Sequence, residues 1–136
     1  MHIGLLEDDK AIQEMLRLVL QDEGYTVTVF PNAKGCLEAF YPVQSEQPLQ
    51  PFHLLIVDWR LSGSAPGTEV IRTLRNDSSL QNLPIILTTA AAFNNTEELQ
   101  ELQDLHVTLL EKPFAVDEVI GLIKQLAQAE PGTVVE

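Results

Sequence analysis

Phe52-His53-Leu54-Leu55-Ile56-Val57-Asp58 is a nearly unbroken apolar run closed by an acid, and its reading decides the fold. A strand with one face in water alternates apolar and polar residues. A run that stays apolar at almost every step is a strand covered on both faces, the situation of a central strand in a parallel sheet. Three other short apolar runs have the same form: Ile3-Gly4-Leu5-Leu6 ends at Glu7-Asp8-Asp9, Ile85-Ile86-Leu87 ends at Thr88-Thr89-Ala90, and Val107-Thr108-Leu109-Leu110 leads into Lys112-Pro113-Phe114. If these runs are parallel strands of one sheet, their carboxyl ends share the edge at which open α/β sheets bind ligands. Glu7, Asp8, Asp58, a threonine hydroxyl and Lys112 then meet at one place.

The segments between the runs have helical period, so strands and helices alternate as βα units. After a first strand from His2 to Leu6, the residues Ile12, Met15, Leu16, Val19 and Leu20 predict a helix from about Lys10 to Glu23, stopped by Gly24. Tyr25 to Phe30 reads as the second strand, and Asn32 caps a short helix through about Phe40. The prolines and glutamines of Tyr41 to Pro51 predict an irregular surface connection. Gly67 to Arg75 is the third helix and Pro84 to Thr89 the fourth strand. Asn95 with Glu98 has capping-box spacing for a helix through about Leu105, and Val107 to Glu111 is the fifth strand. The last helix runs from Val116 to about Gln128, with Ala115 where a capping Ser or Asp is expected. The expected organisation is one domain over residues 1–128 and a frayed tail over 129–136.

Composition excludes several classes of function. With 20 acidic against 8 basic residues the formal charge is −12, which repels nucleic acid and anionic membranes. Cys36 is the single cysteine, so no intramolecular disulfide or cysteine metal cluster forms, and a free thiol suits a reducing compartment. No apolar run approaches the length of a membrane helix, and the expected location is the cytoplasm.

Carboxylates gathered at one edge repel, so they need raised pKa values or a divalent cation, and hard oxygen ligands suit Mg²⁺. Each residue alone has a plainer reading. Glu7 and Asp8 are placed as ordinary acids before a helix, Asp9 is the better cap, Asp58 is a strand-ending turn residue, Lys112 is a surface lysine and Thr89 an ordinary strand residue. His2, His53 and His106 fall at strand starts, at the edge opposite the acids, and read as packing or surface residues.

In combination, the acid pair Glu7-Asp8, Asp58 on the third strand, Thr89-Ala90 on the fourth, and Lys112-Pro113-Phe114 after the fifth resemble the receiver domain of two-component response regulators. The resemblance covers about residues 1–127. It implies a single-domain (βα)5 fold, a doubly wound, flavodoxin-like five-stranded parallel sheet in the order 2-1-3-4-5. It implies that Asp58 is the phosphoacceptor and that Mg²⁺ is bound by Asp8, by Glu7 mostly through water, by Asp58 and by the backbone carbonyl of Arg60. Lys112 and Thr89 would meet the phosphoryl oxygens, and the Lys112-Pro113 bond would be cis. The partners implied are a sensor histidine kinase or phosphotransfer protein and a downstream output domain or protein, with a homodimer left open.

Two positions depart from the family pattern. Asp58-Trp59-Arg60-Leu61-Ser62 replaces the usual Asp-x-x-(Met or Leu)-Pro, and Gly67 stands nine residues after Asp58 instead of eight, an inserted residue that favours Thr89 over Thr88 as the switch hydroxyl. Leu109 stands three residues before Lys112, where the family has a switch aromatic. The expected function is therefore a phosphorelay signalling phosphoacceptor, not an enzyme beyond its own phosphorylation and dephosphorylation. A receiver-like interaction module without phosphorylation is the alternative. A haloacid-dehalogenase-like phosphatase is less favoured, because it wants a second acid two residues after its nucleophile, where this chain has Arg60. Nothing after the last helix is long enough for an output domain, so the chain reads as a stand-alone receiver or the first part of a longer protein.

Overall fold

A computed structural model of the chain describes residues 1–43, 49, 51–59, 67–89 and 96–128. Within them, strands β1 (His2–Leu6), β2 (Thr26–Phe30), β3 (Leu54–Asp58), β4 (Ile85–Thr89) and β5 (Thr108–Glu111) alternate with helices α1 (Lys10–Asp22), α2 (Ala33–Phe40), α3 (Gly67–Arg75), α4 (Thr96–Asp104) and α5 (Val116–Gln128). The sheet is parallel throughout with strand order β2-β1-β3-β4-β5, as the resemblance implied. Several strands begin one or two residues later than apolar character suggests. The ladder between β1 and β3 opens at Ile3 opposite Leu54, so Phe52 and His53 lie before the strand. Pro84, which has no N–H to give, precedes β4 and offers only its carbonyl to Leu55.

Each face of the sheet has its own apolar layer. Leu16 and Leu20 of α1 and Val119 and Ile123 of α5 pack with Ile3, Leu5, Leu54, Ile56 and Ile86. On the opposite face, Cys36 and Phe40 of α2, Val70, Ile71 and Leu74 of α3 and Leu102 of α4 pack with Leu6, Leu55, Val57 and Leu87. β3 supplies both layers and is buried at all five positions, which is why its first four residues are all apolar and only the closing Asp58 is not. Burial also pushes the Cys36 thiol up to about 12, so it is an inert core residue.

Short polar devices end the helices. Asp9 caps α1 by accepting from the Ile12 N–H at 3.0 Å, and Asn32 caps α2 by accepting from the Gly35 N–H at 2.9 Å. Gly24 (φ 91°) takes the left-handed turn after α1. The start of α5 has half a capping box that its sequence concealed: the Ala115 N–H donates to Glu118 Oε1 at 3.0 Å. Asn95, the expected cap of α4, lies outside the described residues. A 3-10 turn, Ser78–Leu80, capped by Asp77, has no distinct sequence signal, because Asn76-Asp77-Ser78-Ser79 has the composition of ordinary loop. The histidines stand at the edge expected of them. The His2 N–H donates to His53 Nδ1 at 2.9 Å, the His2 ring meets Thr28 Oγ1 at 2.7 Å, and His106 (φ 56°) follows the end of α4.

Candidate functional site

The carboxyl ends of β1, β3, β4 and β5 converge. Glu7 directly follows β1, and its backbone is fixed from both sides: its N–H donates to the Phe30 carbonyl at 3.1 Å, and its carbonyl accepts from Gln13 Nε2. Glu7 is 1% exposed, and its side chain accepts the Asp9 N–H on Oε2 at 3.1 Å. Asp58, at the end of β3, is 6% exposed and stands level with Thr88 in the neighbouring strand. Asp8 is half-buried beside them, and one carboxylate oxygen from each of Glu7, Asp8 and Asp58 falls in a cluster within 4.8 Å.

Lys112 closes the site from β5. Its N–H donates to the Thr89 carbonyl at 2.8 Å, its bond to Pro113 is cis, and its Nζ lies 3.3 Å from both Glu7 Oε1 and Asp58 Oδ1. One ammonium thus faces two buried carboxylates from residues 105 and 54 positions away in sequence. Thr89 is buried at the end of β4, one residue beyond the level of Asp58. Trp59 continues β3 with its N–H on the Thr88 carbonyl at 2.8 Å and packs on the α2–α3 face. Arg60 lies outside the described residues.

Three acids and one base leave the cluster short of positive charge, and Glu7 registers the shortage. Burial is the main cause that pushes its carboxyl up to about 7; the Asp9 N–H opposes this, Asp58 adds to it by repulsion, and Lys112 opposes it. An unfolded Glu7 titrates near 4.5, so between about 4.5 and 7 the folded chain holds a proton that the unfolded chain has released. Folding stability is then full below about 4.5 and is lost as pH rises through 7, by roughly 3 kcal/mol. Chemical denaturation of metal-free protein between pH 5 and 8 is the check, and Glu7→Gln should flatten the curve. A stability that rises over that window would contradict the burial of an unmatched acid.

The donor set suits a hard divalent cation: three carboxylates within reach of one another, with an excess of negative charge that protonation or a cation must relieve. Lys112 alone does not neutralise it. The arrangement as a whole is a doubly wound α/β sheet carrying an acid cluster and a lysine at its carboxyl edge.

The response regulator receiver domain profile matches residues 3–124. Among curated proteins, the chain is 32% identical over 130 residues to the phosphate regulon transcriptional regulatory protein PhoB of Rhizobium meliloti, covering 95% of this chain and 53% of that one. It is 34% identical over 131 residues to an uncharacterized 14.6 kDa protein of Leptolyngbya boryana, covering 96% and 93% of the two chains. It spans about half the length of the transcriptional regulators it matches, such as PhoB. The signal receiver domain of a signal transduction histidine kinase from Syntrophus aciditrophicus superposes with a TM-score of 0.80 at 19% identity, covering 99% and 96% of the two chains. Chemotaxis protein CheY4 of Vibrio cholerae gives 0.75 at 22% identity, covering 92% and 97%. The chain belongs to the response regulator receiver domain family and is a receiver domain of the two-component type.

Sequence reasoning missed two supports of this site. Gln13, one face of α1, clamps the Glu7 carbonyl. Gly67 opens α3 directly beneath Asp58, with its N–H on the Trp59 carbonyl at 2.9 Å. The unusual offset of Gly67 from Asp58 was visible in sequence; its proximity was not.

Proposed function

We propose that the chain is a phosphoacceptor in a phosphorelay, with Asp58 as the nucleophile. An Asp58 carboxylate oxygen attacks the phosphorus of a phosphohistidine on a sensor kinase or phosphotransfer protein. The new O–P bond forms as the N–P bond breaks, and the departing imidazole recovers its electron pair and then a proton. The observation that carries this reading is the Lys112 ammonium at 3.3 Å from Asp58 Oδ1, placed to meet charge on a phosphoryl group joined there. The Thr89 hydroxyl would meet another of its oxygens.

Glu7, Asp8 and Asp58, with the Arg60 carbonyl, would hold Mg²⁺. The ion supplies charge neutralisation to acids and phosphoryl oxygens together. Before phosphorylation, Glu7 must give up its proton to serve as a ligand, so cation binding and Glu7 ionisation are linked. The role is signalling and not turnover of an external substrate: the only reactions at the site are loading and slow hydrolysis of its own acyl phosphate. A cytoplasmic setting, where kinases and Mg²⁺ are both present, fits the charge and the single buried thiol.

The deciding experiment is incubation with Mg²⁺ and acetyl phosphate, followed by intact mass, for wild type and Asp58→Asn. Wild type gains one phosphoryl group and the variant none. Addition that survives the substitution would move the nucleophile elsewhere, and no addition to wild type would favour the unphosphorylated interaction module. For the metal, Mg²⁺ is expected to raise the melting temperature more at pH 8 than at pH 6 and to perturb Trp59 fluorescence, with Asp8→Ala binding more weakly. Identical titrations of wild type and Asp8→Ala would place the metal at other ligands.

A further inference from the structure

Two hollows open at the amino edge of the sheet, the end remote from Asp58. One, of about 310 Å³, is lined by Arg75 at the end of α3, by Asn82, Leu83 and Pro84 before β4, and by His106 before β5. The other, of about 260 Å³, is lined by Met1, His53 and Leu54. Pro84 and Leu126 line both, so the two form one trough. Its middle is apolar: Pro84 has no N–H, and the Pro84 carbonyl is taken by the Leu55 N–H at 3.0 Å.

The charge of the trough is opposite to that of the molecule. The chain carries −12, yet none of the described residues lining the trough is acidic, and Arg75 stands in its wall. Among the described arginines, Arg17 is paired with Glu14 and Arg72 with Glu101, whereas Arg75 meets only backbone carbonyls. Carbonyl dipoles solvate a cation without neutralising it. Burial already pulls the Arg75 pKa down, so the half-buried guanidinium holds a positive charge that the fold leaves unmatched. Four of its five N–H groups are bonded, and Nη1 keeps one for a further acceptor.

We propose that the trough binds a small aliphatic carboxylate, its carboxylate at Arg75 and Asn82 and its hydrocarbon chain laid over Leu83, Pro84 and Leu126 toward Leu54. The anion supplies the counter-charge that the fold withholds, and the Asn82 amide adds N–H donors. An acid-free lining around an arginine disfavours a cation. An apolar wall favours a carbon chain over an inorganic anion, and the volume is at the small end of the range of ligand sites. The trough and the acid cluster lie at opposite ends of the sheet, so the proposal stands apart from the phosphoacceptor reading.

The test titrates the full chain with hexanoate, hexanamide, hexylamine and acetate, read by amide resonances and melting temperature. Hexanoate is expected to shift the resonances of Asn82, Leu83, His106 and Leu126 saturably, and to raise the melting temperature by about 2–5 °C at a tenfold excess over its dissociation constant. Hexanamide and hexylamine lack the negative charge and acetate lacks the chain, so each is expected to bind at least tenfold more weakly. Asn82→Asp, an exposed substitution that sets a carboxylate in the trough, is expected to weaken hexanoate binding at least tenfold. Lys34→Gln on α2, at the other end of the sheet and with the same change in net charge, is not. Absence of a saturable hexanoate shift, equal binding of hexanamide, equal weakening by Lys34→Gln, or shifts centred on the acid cluster would each overturn the proposal. Movement of the same resonances in Glu130→Gln without added acid would make the chain's own tail the occupant, and would overturn it as well.

Discussion

Replacing Arg75 by Met is expected to destabilise the chain by about 2–4 kcal/mol and to lower its melting temperature by roughly 10 °C. Arg75 ends α3 with its guanidinium half-buried and bonded entirely to backbone carbonyls: Nε to Leu105 at 2.8 Å, Nη1 to Leu80 at 2.6 Å, and Nη2 to Leu83 at 2.7 Å and His106 at 3.2 Å. These carbonyls belong to the end of the 3-10 turn, the approach to β4 and the turn after α4, so one side chain ties three connections together. Burial pulls the guanidinium pKa down from its usual range, which shows that the site costs solvation, but an arginine stays charged and its fork is matched by the carbonyl geometry. Methionine keeps the stem and leaves the carbonyls without their donor. Lysine, a single point donor, should recover less than half of the loss. Urea denaturation at constant slope is the measurement, and a loss within about 0.5 kcal/mol for Arg75→Met would show that water replaces the guanidinium freely.

Gly67→Ala should damage stability and chemistry together. A Cβ on Gly67 would lie 2.2 Å from the Asp58 carbonyl oxygen and 2.7 Å from Val57 Cγ1. Neither neighbour is a flexible tip. The first is the backbone of the proposed nucleophile and the second belongs to the central strand, so α3 and the end of β3 must separate. The expected cost is about 2–3 kcal/mol, in the range of overpacked cores, with acetyl phosphate loading at Asp58 slowed at least tenfold through its displacement from Lys112. The two readouts separate causes: Arg75→Met should lower stability while loading at low temperature stays near normal, because Arg75 sits at the opposite end of the sheet. Gly67→Ala melting and loading like wild type would mean that the helix can shift without moving Asp58.

The contrast between these two residues shows what could be read in advance. Asp58, Glu7, Asp8 and Lys112 each follow a run whose type and length are legible, and parallel order then brings the four together whatever the loops do. Asn32 and Asp9 were legible as caps because capping uses a side chain at fixed spacing from a local N–H. Arg75 was not legible. Its partners are carbonyls, which every residue has, so no residue type along the chain signals them. Glu118 capping Ala115 was hidden for a related reason, since the N-cap position holds an alanine with no polar side chain and the bond uses its backbone N–H, which nearly every residue has.

Residue type and periodicity by themselves determined the alternation of strands and helices, the doubly buried central strand, and the edge where the polar residues gather. These follow from the period of a helix and the pleat of a strand, which are local properties. The tertiary structure alone decided that Glu7 is more deeply buried than Asp8, that its proton is retained to about 7, that one lysine stands 3.3 Å from two acids, and that Gly67 touches the backbone of Asp58. Desolvation and contact depend on what covers a group from distant parts of the chain, and no local pattern encodes that.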